Sequence, residues 1–158
     1  MTHSLKFGFD YTEDPGKPGY IIIEAKWLRE NLSVIAPPWP LPLAWGGLAH
    51  TIKCHKKLAG PLLAVLNELE DAGREDRILD YGGCWNPRHV GANPKSGLSY
   101  HAAGLAVDFN VKNNPWGATP KQSQFLVATF KKHGWIWGGD FSKPDGMHFQ
   151  LSDNLFVA

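Results

Sequence analysis

Residues 105–111 read LAVDFNV, and residues 147–151 read MHFQL. Both stretches alternate apolar residues with polar or small ones, which is the period of a β-strand that buries one face. The alternation sets Asp108 apart from its aliphatic neighbours in the first stretch, and it sets His148 and Gln150 apart from theirs in the second. Pairing of these two strands in one sheet would bring Asp108 and His148 to the same polar face.

The rest of the chain predicts further elements on both sides of these strands. The apolar residues between His50 and Ala72 recur at helical spacing, and Gly60-Pro61 inside this stretch predicts a kink or a second helix opening at Pro61. Prolines between residues 37 and 42 favour an extended segment. The remaining expected strands cover residues 19–24, 77–81 and 135–137, and a short helix is expected over 24–32. A further helix is expected to begin at the capping box Thr119-Pro120-Lys121-Gln122, to end at Gly134 and to bury Phe125.

This order, with helices early and strands late, predicts an α+β protein: a small antiparallel sheet with helices packed on one side. A chain of 158 residues suits one compact domain with a core of its own. We therefore expect a single domain over residues 1–158.

Charge and composition exclude some classes of function. The chain has 16 Lys and Arg against 15 Asp and Glu, a net charge of +1, which argues against a nucleic-acid partner. The longest aliphatic run near the amino terminus is Ile21 to Ile23, far below a membrane span, and no signal peptide is evident. We expect a monomer without a membrane partner. Cys54 and Cys84 form no disulfide framework, so their redox state stays open.

His101 lies just ahead of the first strand and completes a candidate metal site with Asp108 and His148. Two imidazoles and one carboxylate are the ligands of a catalytic zinc site, whose fourth position is left to water. Each residue alone is equally typical of a surface or capping position. Their combination, with small residues at Gly104 and Ala106 where an ion must approach the backbone, indicates a bound metal.

The motif Ser99-x-His101-x-x-Gly104-x-Ala106-x-Asp108, followed by Asp145-x-x-His148, resembles the signature of a family of zinc peptidases. This family contains D-alanyl-D-alanine carboxypeptidases and L-alanyl-D-glutamate endopeptidases, and its fold is shared with lysostaphin-type peptidases and the hedgehog signalling domain. The stretch from Gly134 to Phe141 resembles the endopeptidase branch, which includes many phage lysins. The resemblance covers residues 76–151, whereas residues 1–50 resemble no family that we can name.

The resemblance implies a Zn²⁺ cofactor held by His101, Asp108 and His148. It also implies that Asp145 is the general base, because a carboxylate beside zinc can take a proton from water and pass it to the leaving amine. Without His148 nearby, Asp145 would be equally typical of a turn.

Further site residues follow from their place in the chain. Arg88 stands near the position of a family arginine and is the candidate for substrate binding and oxyanion stabilisation; the alternative is a solvated loop arginine. Ser99 is expected to hydrogen-bond the substrate or to orient His101. Asp140 is expected to orient a metal ligand.

The expected function is hydrolysis of the peptide stem of bacterial peptidoglycan, between L-alanine and D-glutamate. The alternatives are a D-alanyl-D-alanine carboxypeptidase and a zinc-containing binding module without catalysis. Because no export signal is evident, the expected course is synthesis in the cytoplasm and action on the cell wall after release, as in phage lysins.

Overall fold

The structure is a computed structural model that describes residues 1–153, and this part is a mixture of α-helices and small antiparallel sheets, as predicted for the α+β class. Its α-helices are α1 (Ala25–Asn31), α2 (Lys56–Asp71) and α3 (Gln124–Lys132). Its strands are β1 (Thr2–Ser4), β2 (Phe9–Glu13), β3 (Ile21–Ile23), β4 (Leu32–Ile35), β5 (Leu41–Pro42), β6 (Leu48–Ala49), β7 (Ile52–His55), β8 (Tyr81–Gly83), β9 (Ala106–Phe109), β10 (Trp135–Trp137) and β11 (His148–Leu151).

The largest sheet has the strand order β10-β11-β9-β8, and all its neighbours are antiparallel. The two alternating stretches of the sequence are its central strands, and their register sets His148 directly opposite Asp108. The apolar face of the sheet packs against α3, where the Phe130 ring stacks on the Phe149 ring at a centroid distance of 4.0 Å. The polar face is left for the two predicted ligands.

Helix α2 begins later than predicted, at Lys56. Residues 52–55 are not helical because they pair as β7 with β4, residue for residue from Ile35↔Ile52 to Leu32↔His55. The His55 side chain then caps the helix by accepting a hydrogen bond from the Lys57 amide at 3.0 Å. The expected second helix at Pro61 is wrong: α2 continues through this residue, and its apolar side is fully buried.

Helix α3 also begins later than the capping box at Thr119 predicted. Its N-cap is Ser123, whose hydroxyl accepts a hydrogen bond from the Leu126 amide at 3.3 Å. The preceding Gln122 is buried and donates its amide to the carbonyl oxygens of Phe109 and Gly146, which keeps it out of the helix. Phe125, predicted to be buried, is 42% exposed.

The first 55 residues contribute more strands than the sequence predicted. The strand at Ile21–Ile23 and the helix at Ala25–Asn31 are confirmed, but β1 and β2 join β3 in a three-stranded sheet that was not foreseen. The strand predicted over 77–81 is also displaced, because residues 75–77 form a 3-10 turn and pairing begins at Tyr81. No helix within residues 1–153 is long and apolar enough to cross a membrane.

Gly104 lies where the 3-10 turn before β9 meets β7. Its φ is +70°, and an added Cβ would lie 2.7 Å from the His55 amide nitrogen and 3.1 Å from the Cys54 carbonyl carbon. Gly104→Ala should therefore lower the free energy of unfolding by about 3 kcal/mol, from the left-handed backbone and the collision together.

Gly73→Ala is the matched control, because Gly73 has a φ of +62° but nothing within 4 Å of the added methyl group. We expect it to cost only about 1 kcal/mol. Urea unfolding of both variants measures the difference, and equal losses would show that β7 moves to accept the methyl group at Gly104.

Candidate metal centre and active site

A cavity of about 300 Å³ lies at the polar face of the four-stranded sheet. The predicted site residues Arg88, Ser99, His101, Asp108, Asp145 and His148 all line it. The other lining residues are Tyr20, Val90, Gly91, Ala92, Tyr100, Trp116, Phe141, Met147 and Gln150.

The three predicted metal ligands come together at the floor of this cavity. His101 Nε2 lies 3.1 Å from Asp108 Oδ1, His148 Nδ1 lies 3.2 Å from His101 Nε2, and His148 Nδ1 lies 3.4 Å from Asp108 Oδ1. Asp108 comes from β9 and His148 from β11, while His101 comes from the 3-10 turn Tyr100–Ala103. Three potential ligand atoms therefore form a nearly equilateral triangle.

Hydrogen bonds on the far side of each imidazole fix its orientation. His101 Nδ1 donates to the Cys84 carbonyl oxygen at 2.7 Å, and His148 Nε2 donates to Gln150 Oε1 at 2.8 Å. Because those nitrogens carry the protons, neutral imidazoles direct the lone pairs of His101 Nε2 and His148 Nδ1 at each other and at the Asp108 carboxylate. A cation bound between these three groups would remove the electrostatic repulsion between the lone pairs and the carboxylate.

The donor set fits zinc. Zinc bonds of about 2.0–2.1 Å at tetrahedral angles put neighbouring ligand atoms roughly 3.3 Å apart, close to the separations of this triangle. The two carbonyl oxygens behind the imidazoles are the second-layer hydrogen-bond acceptors that zinc-binding histidines usually have. Only three protein ligands converge within the described part of the chain, and the cavity side is open.

Charge in the cluster favours an ionised carboxylate. Burial alone would raise the pKa of Asp108, but the charge and hydrogen bonds of His101 and His148, when these imidazoles are protonated, outweigh burial and hold that pKa well below its ordinary range. For His148, burial works to lower the pKa, while the Asp108 carboxylate and other hydrogen-bonding partners raise it overall.

Asp145 lies beside the triangle and is held by backbone contacts. Its amide donates to the Gly138 carbonyl oxygen at 2.8 Å, and its carbonyl oxygen accepts from the His148 amide at 3.1 Å. The Oδ2 atom lies 3.9 Å from His148 Nδ1, whereas the buried Oδ1 atom has no hydrogen-bond partner in residues 1–153. Burial is the main reason that the pKa of Asp145 is raised. Asp145 also lines the cavity and its side chain is 22% exposed, so a molecule in the cavity can reach the carboxylate and transfer a proton to it.

Arg88 lines the same cavity from the loop after β8. Its Nη1 donates to the His89 carbonyl oxygen at 3.3 Å, and its positive charge works to lower the pKa of Asp145. Within residues 1–153 no carboxylate forms a salt bridge with its guanidinium, so most of its donors stay available.

Ser99 is buried, and its side chain forms a hydrogen bond with the backbone of His101. Its hydroxyl accepts a hydrogen bond from the His101 amide at 3.2 Å and caps the 3-10 turn that carries His101. This contact is one of the two roles expected for it, the orientation of His101.

Asp140 does not reach the cluster, so the expectation that it orients a metal ligand is wrong. It is exposed and pairs with Lys131 at 2.6 Å. The orienting groups are instead Gln150 and the Cys84 carbonyl oxygen. Gln150 carried a signal in the sequence, because it follows His148 by two residues and a strand of period two sets both on one face. The Cys84 contact is made by the backbone and left no such signal.

Residues 92–151 match the family model described as D-alanyl-D-alanine carboxypeptidase. The matched segment contains the three clustered side chains and Asp145, but neither Arg88 nor the sheet of β1, β2 and β3. The match supports a general function for the protein, that of a peptidase that acts on peptidoglycan.

Proposed function

We propose that the protein is a zinc-dependent peptidase that hydrolyses the peptide stem of bacterial peptidoglycan, as an L-alanyl-D-glutamate endopeptidase. The observation that carries the proposal is one arrangement in the cavity: the ligand atoms of His101, Asp108 and His148 converge, and the Asp145 carboxylate lies beside them, with Oδ2 3.9 Å from His148 Nδ1.

His101, Asp108 and His148 would hold the metal. Zinc, when bound in such a site, acidifies water and polarises a carbonyl group. Asp145, whose Oδ2 atom faces His148, would accept a proton from the water that attacks the scissile carbonyl carbon. As the carbon–nitrogen bond breaks, Asp145 would return this proton to the leaving amine nitrogen.

Arg88 would bind a negatively charged oxygen of the substrate. Its forked donors suit either the scissile carbonyl oxygen, as negative charge develops on it, or a carboxylate of the peptide stem. Ser99 would support this chemistry by holding the turn of His101, and a hydrogen bond to the substrate remains a second role for it.

The endopeptidase reaction is favoured by the resemblance of residues 134–141 to that branch of the family. The description of the matched family favours the alternative, a D-alanyl-D-alanine carboxypeptidase. A zinc-containing binding module without catalysis is disfavoured by Asp145, because an inert site has no need for a buried carboxylate without a partner.

Mass spectrometry of purified peptidoglycan after incubation with the zinc-loaded protein tests the proposal. We expect fragments with new D-glutamyl amino termini, which disappear when a zinc chelator is added. Chelator-sensitive release of free D-alanine would instead identify the carboxypeptidase. Intact peptidoglycan of several wall types, with zinc bound to the protein, would overturn the proposal in favour of the binding module.

Gln150 provides a test of the metal centre that does not depend on catalysis. Its Oε1 atom accepts the proton of His148 Nε2, which leaves Nδ1 free to bind a metal. Gln150→Met removes the acceptor, so the zinc dissociation constant should rise about 10- to 100-fold. Gln150→Glu keeps an acceptor and should restore the affinity. Competition with a chromophoric chelator measures both variants.

Gln122→Met is the matched control, because Gln122 is equally buried but its amide bonds to the backbone carbonyl oxygens of Phe109 and Gly146 and to no side chain of the cluster. This variant should lose stability and keep its zinc affinity. Unchanged zinc affinity in Gln150→Met would show that His148 is oriented without Gln150.

A further inference from the structure

Apolar side chains are exposed around the cavity. Trp116 is 47% exposed, Val90 43% and Phe141 38%, and all three line the cavity. Large apolar side chains that share the border of one groove are typical of a ligand-binding surface. The cavity therefore continues into a surface suited to an extended ligand.

Two lysine–aromatic pairs adjoin this border. Lys17 Nζ lies 3.6 Å from the centroid of the Tyr20 ring, and Lys143 Nζ lies 3.6 Å from the centroid of the Trp116 ring. Both rings line the cavity. Neither lysine has a carboxylate partner within salt-bridge distance in residues 1–153. Each ammonium is therefore held at the border by an aromatic face and keeps its charge unneutralised.

Backbone contacts fix the Tyr20 side of this border. The Ile21 amide donates to the Pro87 carbonyl oxygen at 3.0 Å, and the His89 amide donates to the Gly19 carbonyl oxygen at 2.9 Å. Gly19 lies so close to the next turn that an added Cβ would be 1.8 Å from the Ala92 carbonyl oxygen. The amino-terminal segment, which lies outside the family match, thus forms part of the cavity wall.

The Trp116 side adjoins the same turn. An added Cβ at Gly91 would lie 3.0 Å from two atoms of the Trp116 ring. The turn Val90–Ala92 therefore lies between the two lysine–aromatic pairs.

We infer that Lys17, Lys143 and Arg88 form a cationic rim that binds the free carboxylates of an acidic peptide substrate. The inference rests on the proposed function and names a substrate class for it: stem peptides whose carboxyl groups are free rather than amidated. Tyr20 and Trp116 hold the two ammonium groups in place and offer apolar surface to the peptide. Opposite charge at the border gives selectivity for such peptides and speeds their association.

The test compares two synthetic stem peptides that differ only in whether their carboxyl groups are free or amidated. Calorimetric titration into the zinc-loaded Asp145→Asn variant measures binding without turnover, and cleavage by the wild-type protein gives KM and kcat. We expect tighter binding of the free-carboxylate peptide at low salt. Adding Lys17→Met and Lys143→Met should weaken its binding about three-fold each and about ten-fold together. The same substitutions in the active protein should raise KM and leave kcat unchanged.

Lys53→Met is the matched control, because Lys53 lies over the Trp85 ring at 4.6 Å and Trp85 does not line the cavity. It should leave the preference intact. Equal affinity of the Asp145→Asn protein for both peptides, or a preference that is undiminished in the double lysine variant, would overturn the proposed cationic rim. Cleavage of both peptides in that case would leave the proposed function standing. If the free-carboxylate peptide binds selectively but the wild-type protein cleaves neither peptide, the proposed rim is supported and the proposed peptidase function is refuted.

Discussion

Asp145→Asn should reduce peptidoglycan cleavage by about 1,000-fold while zinc stays bound. General acid–base catalysis by a positioned side chain contributes about 10²- to 10⁴-fold, and the amide of asparagine cannot accept the proton of the attacking water. The change keeps the size of the side chain. The backbone contacts of Asp145 with Gly138 and His148 do not involve the substituted group, so the fold around it should persist.

Three measurements separate loss of the base from other defects. Cleavage is followed by mass spectrometry, zinc content by elemental analysis and stability by thermal unfolding. Asp140→Asn is the matched control, because Asp140 lies five residues earlier, is exposed and pairs with Lys131. It should retain full activity. Wild-type turnover in Asp145→Asn would remove Asp145 from the mechanism, and loss of zinc would assign it to metal binding instead.

The convergence of His101, Asp108 and His148 was predictable because each residue leaves a local signal in the sequence. Asp108 and His148 each interrupt an alternating apolar pattern, and period-two strands of this kind pair in a register that sets both on one face. His101 was connected to them by the motif. Sequence alone could not provide the hydrogen bond to the Cys84 carbonyl oxygen, because it depends on how the chain runs after β8.

Where the fold was mispredicted, a tertiary contact prevailed over a local signal. Thr119-Pro120 has the composition of a helix start, yet Gln122 is needed for hydrogen bonds to two distant carbonyl oxygens, so α3 starts after it. Similarly, residues 52–55 fit the helical pattern of α2 but pair with β4. The strand Thr2–Ser4 has only three residues, too few to show an alternation of apolar and polar side chains. These short amino-terminal strands matter for function, because β3 follows the Tyr20 wall of the cavity.

Residue type did not distinguish Asp140 from Asp145 as partners of the cluster. Both follow Trp137 and precede His148 in the chain, and both are acidic. Asp145 is directed into the cavity because Gly138 lets the chain fold back: an added Cβ there would lie 2.4 Å from the Asp145 carbonyl oxygen and 3.0 Å from the His148 Cβ. Asp140 follows the 3-10 turn outward to Lys131. A close backbone contact decides which acid reaches the site.

Asp108→Asn should weaken zinc binding by at least about 100-fold and abolish cleavage with it. Asp108 is the one anionic member of the cluster, and its carboxylate is kept ionised by His101 and His148. Asparagine has nearly the same shape but carries no charge. Loss of a direct ligand should exceed the 10- to 100-fold effect of losing a supporting partner such as Gln150.

Zinc affinity is measured by chelator competition, and a second readout is thermal unfolding with and without zinc. A ligand that binds only the folded state raises its stability, so zinc should raise the Tm of the wild-type protein and have a much smaller effect on Asp108→Asn. Asp80→Asn is the matched control, because Asp80 is also buried but accepts hydrogen bonds from the Val111 and Lys112 amides. It should lower the Tm with zinc and without it, and leave the difference between the two unchanged. If Asp108→Asn binds zinc as tightly as the wild-type protein, the metal does not bind at this cluster, and the zinc-dependent mechanism fails with it.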